Sequence, residues 1–128
     1  MSLLEGSCRE VLELAEVVTM VTMGPDGPHM TATWGDYVRT MGVGENRLVV
    51  PAGFYRVMEA NLETNPGVQV LVASRGGRRG GWAWGRLFTL KGTARIETAG
   101  ADFDRVKAAF PWARGALIVD VAEAKSHL

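Results

Sequence analysis

The chain has 128 residues, 47% hydrophobic and 22% charged, with 14 basic and 14 acidic side chains and hence no formal net charge. That length suits one domain, 1–128, burying roughly two-thirds of its unfolded surface, and the charge balance excludes a disordered polyelectrolyte or a global field drawing in nucleic acid or anionic lipid. No apolar run approaches the roughly 18 residues of a membrane span, the first residues lack a basic-then-apolar leader pattern, and Cys8 as the single cysteine excludes an internal disulfide and suits a reducing, cytoplasmic setting.

Ser2 with Glu5 three positions on reads as a capping box, and Leu4, Cys8, Val11, Leu12 and Ala15 recur at helical spacing, which predicts a helix over 3–15. The β-branched run 17–23 ends at Gly24-Pro25 and predicts a strand. Asp26-Gly27-Pro28 is a turn, after which Met30, Ala32 and Trp34 alternate with Thr31 and Thr33 as in a half-buried strand. This strand is the expected hairpin partner of 17–23. A further strand over 47–50 is expected to pair with 30–34 and gather Thr33, Trp34 and Tyr37 in one place.

Residues 54–64 predict a second helix with Val57, Ala60 and Asn61 on one face, stopped by Asn65-Pro66-Gly67. A strand over 68–74 runs into a loop, 75–81, made of arginine and glycine. The run 86–97 predicts a long strand in which Gly92 marks a bulge. A third helix begins near Asp102, with acidic residues suited to its dipole, and stops at Pro111; a last strand covers 116–121 before a polar tail. About six strands and three short helices with no βαβ rhythm predict a mainly β fold closed as an antiparallel barrel.

Little in the chain suggests chemistry of its own. His29 and His127 are the only histidines, the residue type suited to proton transfer near neutrality, and neither lies in a metal-ligand spacing. Neither a nucleophile elbow nor a phosphate-binding glycine loop is present, and no side chain is assigned as catalytic acid or base. Trp34 and Tyr37 beside threonine hydroxyls suit a flat aromatic ligand. An aromatic site without acid, base or metal points to a bound cofactor that carries the reactivity. The segment SRGGRRGGWAWGR, with Arg75, Arg78, Arg79, Trp82 and Trp84, offers a second reading as an RNA-binding loop. One short basic loop on a neutral domain is a poor nucleic-acid footprint, so the first reading is preferred.

The order of DGPH at 26–29, Thr33-Trp34, Tyr37, Arg47, Val49-Val50-Pro51, Gly53, Glu59-Ala60-Asn61, Ser74-Arg75, Trp112-Ala113-Arg114 and Leu128 resembles the FMN-binding split-barrel superfamily that includes pyridoxamine 5'-phosphate oxidase. The resemblance implies a six-stranded split barrel, a homodimer, and one noncovalent FMN per subunit near the interface. The expected function is electron transfer with an unidentified redox partner or a small flavin-dependent oxidoreduction. A deazaflavin or heme is the alternative within the superfamily.

By this resemblance Thr33, Trp34 and Tyr37 contact or approach the flavin, Pro51 and Gly53 line it through backbone, Trp112 is a second tryptophan at the ring, and Leu128 covers it from the other subunit. The family's phosphate contacts fall on Ala32, Val57 and Met58, where this chain has apolar residues in place of an asparagine and a Lys-Thr pair. Arg56 and Arg75, helped by Ser74 and helix amides, are the expected substitutes.

Overall fold

The computed structural model describes residues 2–76, 82 and 85–127. Its elements are α1 (Gly6–Leu14), β1 (Val17–Gly24), β2 (Gly27–Trp34), α2 (Gly35–Met41), β3 (Arg47–Ala52), α3 (Arg56–Thr64), β4 (Gly67–Ser74), β5 (Arg86–Glu97), α4 (Ala101–Ala109) and β6 (Gly115–Ser126). The six strands form one antiparallel sheet in the order β2-β1-β4-β5-β6-β3, curled into a split barrel.

The β1/β2 hairpin forms with Val17 opposite Trp34 and Gly24 opposite Gly27, which sits at φ +104 in the turn. The expected pairing of β2 with β3 does not occur. β3 pairs with β6, and β2 and β3 are the two free edges of the sheet. The sheet curls so that the connection after β3 reaches β2, where the Tyr55 hydroxyl donates to the Ala32 carbonyl, and Pro51, which has no N–H to give, is accommodated in an edge strand. Among the described residues four helices form rather than three: α2 fills the connection between β2 and β3. β6 runs on through the expected polar tail, with Phe88 opposite Ser126.

The bulge expected at Gly92 is present as a register shift between Lys91 and Gly92. A Cβ on Gly92 would stand 1.9 Å from the Asp120 carbonyl oxygen, so only glycine lets β6 cross here. The capping box does not form: α1 starts at Gly6 with no side-chain cap on Glu5. Ser2 donates instead to the Glu45 carbonyl at 3.4 Å, and the Leu3 N–H donates to Asn46 Oδ1 at 2.7 Å.

The main core lies inside the curl. Val18, Met20, Leu48, Val50, Val68, Val70, Val72, Leu90, Leu117 and Val119 point inward, and α1 closes one mouth with Cys8, Val11 and Leu12, joined by Leu4 from the segment before it. The Cys8 thiol is free, and burial raises its pKa against the lowering effect of Arg9. A second core on the other face of β3 and β6 joins Met41, Val49, Val106, Ala113, Ala116 and Ile118, with Phe103 and Phe110 packed on it. Helix α3 packs with Met58 and Asn61 inward, not with Val57 and Ala60, which face solvent. No helix among the described residues is long and apolar enough to cross a membrane.

Candidate functional site

Strand β2 alternates as a half-buried strand should. Thr31 and Thr33 turn inward, while Met30 (71% exposed), Ala32 and Trp34 (52% exposed) face out. Val17 and Val21, the register partners of Trp34 and Met30 on β1, extend this outer face together with Met23 opposite Pro28, and Leu71 on β4 continues it across β1. Among the apolar residues inside this hairpin, Thr22 and Thr33 are buried polar exceptions. Asn61 Nδ2 donates to the fully buried Thr22 Oγ1 at 3.1 Å, fixing α3 on β1.

The first residue of α3 is placed by Tyr55, whose hydroxyl donates to the Ala32 carbonyl at 2.9 Å. Burial raises the Tyr55 pKa, opposed by the Thr33 and Thr31 hydroxyls beside it and reinforced by Tyr37. The Thr31 Oγ1 is itself enclosed with no partner at hydrogen-bonding geometry.

Helix α2 brings Tyr37 back toward the end of β3. Its start is fixed where the Gly35 N–H donates to the Glu16 carbonyl at 2.8 Å, and Arg39 Nη1 donates to the Leu12 and Ala15 carbonyls at the end of α1. Trp34 and Tyr37 share an open cleft of about 390 Å³ with Glu16, Asp36 and Arg39. The Tyr37 ring meets Phe110 at 4.9 Å and Trp112 at 5.8 Å between centroids, and Phe110 meets Trp112 at 5.8 Å. Trp112, 53% exposed, lies over Gly53, where a Cβ would stand 3.4 Å from its ring.

Arg114 completes the rim. Its backbone N–H donates to the Ala52 carbonyl at 2.8 Å, its Nε to the Gly53 carbonyl at 2.6 Å, and its Nη2 to Glu59 Oε2 at 3.0 Å. The guanidiniums of Arg114 and Arg56 each stand 5.8 Å from the centroid of the exposed Phe54 ring. The result is a continuous border from Ala32 and Trp34 on one sheet edge, through Tyr37 and Trp112, to Gly53, Phe54, Arg56 and Arg114 on the other.

The structure therefore gathers Ala32, Trp34, Tyr37, Gly53, Arg56 and Trp112. Thr33 is adjacent but buried, so it offers this surface only backbone, and Pro51 is buried inside β3 opposite Ala116. Val57 is exposed on the first turn of α3, whereas Met58 is wholly in the core. Ser74 accepts from the Gly76 N–H at 3.0 Å, and it and Arg75 end β4, separated from β2 by β1. Leu128, Arg78, Arg79 and Trp84 lie outside the described residues. Tyr55, Phe54, Phe110 and Arg114 were not among the expected site residues; Trp112-Ala113-Arg114 in the sequence was the one signal for Arg114.

A curled six-stranded sheet with an aromatic and cationic rim between its free edges defines a split-barrel protein. The chain belongs to the pyridoxamine 5'-phosphate oxidase family, whose model matches residues 4–126. It is 38% identical over 128 residues to the FMN-binding protein of Nitratidesulfovibrio vulgaris strain Miyazaki F, covering 98% of this chain and 100% of that one. Among solved structures it is similar to a variant of HupZ from Group A Streptococcus, with a TM-score of 0.78 at 14% identity over 97% of this chain and 99% of that one. A putative pyridoxamine 5'-phosphate oxidase from Listeria innocua has a TM-score of 0.65 at 16% identity, covering 91% of this chain and 92% of the other. At such identities these two likenesses speak for the fold.

Proposed function

We propose that the chain is a flavoprotein that holds FMN noncovalently along this rim and serves as an electron carrier or a small flavin-dependent oxidoreductase. The observation that carries the reading is the end-to-end similarity to a protein named for binding FMN. The donor set supports it. Trp34 and Trp112 are half-exposed indoles flanking Tyr37, a surface suited to a planar tricyclic ring. At the other end Arg56 opens α3, whose N-cap carries no side-chain hydrogen bond, so cationic charge and backbone amides stand together where a phosphate would lie.

The isoalloxazine supplies the redox chemistry when bound. The polypeptide's part is to hold the ring, shield it from water and fix the phosphate. We also propose that two copies pair across the apolar outer face of β2, β1 and β4, since Met30, Met23, Val17, Trp34 and Leu71 form one exposed surface there. The cytoplasm is the proposed location.

Adding FMN to apoprotein and following flavin fluorescence tests the reading. Saturable quenching that is weakened by about tenfold in Trp34→Ala or Trp112→Ala is expected, a change of about 1.4 kcal/mol. A chain that leaves FMN fluorescence unchanged overturns it, and a Soret band in the purified protein turns the assignment to heme. Sedimentation as a monomer overturns the pairing.

A further inference from the structure

The phosphate end of the rim is the least conventional part of the site. Ala32 offers no side-chain donor and its carbonyl is taken by Tyr55, Val57 is an exposed apolar residue, and Met58 is wholly buried. Two guanidiniums stand there instead, one on each side of the β3–α3 turn and both against Phe54. Among the described residues Arg56 makes no ion pair, and the only carboxylate on Arg114 is that of Glu59.

On the reading that the rim holds FMN, we infer that Arg114 is the second phosphate anchor beside Arg56, and that Glu59 is the anion the phosphate displaces. Arg114 is already fixed by the Gly53 carbonyl and the backbone bond to Ala52, so its fork is oriented before any ligand arrives. The Arg114–Glu59 pair is open to water, with side chains 38% and 37% exposed, so it contributes little and its anion is easily exchanged. A phosphate monoester carries more charge than a carboxylate at neutral pH and presents three acceptor oxygens to the same fork. Glu59 thereby sets affinity twice over: it competes for Arg114, and once displaced it repels the dianion from one turn inside α3. The ligand class favoured is a flavin bearing a terminal phosphate, with selectivity over riboflavin governed by Glu59.

The test compares FMN with riboflavin, which shares the ring and lacks the phosphate, by fluorescence titration of full-length apoprotein. Glu59→Gln keeps the shape and removes the charge, and it should tighten FMN roughly threefold or more while riboflavin moves less than about twofold. Arg114→Ala should weaken FMN by about tenfold or more with riboflavin again steady, and Arg114→Lys should recover part of the loss. Loss of both ligands to the same degree in Arg114→Ala would reduce Arg114 to a support of the Gly53 turn and overturn the inference. So would unchanged or weaker FMN binding in Glu59→Gln. Wild-type protein that binds riboflavin as tightly as FMN sinks this inference alone, whereas wild-type protein that binds neither sinks the flavin reading itself.

Discussion

Gly35 couples the fold to the rim, and replacing it with alanine should be costly well beyond the usual price of a surface change. A Cβ there would stand 1.8 Å from the Ala15 carbonyl oxygen and 2.8 Å from its carbon. The first of these is about half an ordinary contact distance of roughly 3.5 Å. The obstacle is backbone at the end of α1, held in turn by Arg39, so it cannot rotate away. Relief requires α2 to move off, stretching the Gly35–Glu16 backbone bond of 2.8 Å. Overpacking typically costs about 1–3 kcal/mol, a lost hydrogen bond about 1 kcal/mol, and the better helix propensity of alanine returns up to about 1 kcal/mol.

The net expectation is a loss of about 2 kcal/mol. For a chain of this length that lowers the thermal midpoint by about 7 °C. Circular dichroism melts of Gly35→Ala beside wild type make the comparison. A Gly35→Ala midpoint equal to or above that of wild type would refute the steric argument.

Three further outcomes are expected. Asp120 is pushed up by partial burial but more strongly held down by hydrogen bonds and charge from Arg47 and Arg95, so its pKa is below the ordinary carboxylate value. A depressed carboxylate contributes stability above its unfolded pKa that disappears as the pH falls through its folded pKa. The thermal midpoint of Asp120→Asn should therefore fall less steeply than wild type below about pH 4, and parallel acid titrations would contradict this. Asn61→Ala strands the buried Thr22 hydroxyl and opens a void under α3, with an expected loss of about 2–3 kcal/mol in urea unfolding; a loss below about 0.5 kcal/mol would refute the role of this pair. Thr31→Val replaces an enclosed hydroxyl that lies beside the Tyr55 hydroxyl without a well-formed hydrogen bond by a methyl of the same shape, and the melt should be unchanged or higher by up to about 1 kcal/mol; a clear drop would mean the Thr31–Tyr55 contact stabilises the fold.

Local signals in the sequence located the strands well and the long-range pairings poorly. Turn chemistry at 24–28 and β-branching on either side gave the first hairpin, and Gly92 gave the bulge, because both depend on neighbours a few positions away. The partner of β3 depends on the whole sheet curling, which no local pattern reports. Alternation in β2 was visible, but which face turns inward was not: hydrophobicity favours burying Met30 and Trp34, and the inward Thr31 and Thr33 make sense only with the Tyr55 hydroxyl beside them.

Helix α2 is seven residues long and opens on glycine, so its Val38 and Met41 spacing is too short to stand out. At the rim, Trp34 and Tyr37 could be read from residue type, and Trp112 came through resemblance. Arg114 escaped because its importance comes from proximity to Gly53 and Glu59, which lie 61 and 55 positions away.

The strand order makes the two edges of the sheet the most distant members of the ladder, yet Tyr55, three residues beyond β3, reaches across to the Ala32 carbonyl on β2. Breathing of the barrel is therefore expected along this seam, and a molecule resting on both margins would act as a clasp. Amide exchange in β2 and β3 should slow when the rim is filled, while β4 and β5, already flanked on both sides, should exchange at the same pace as before.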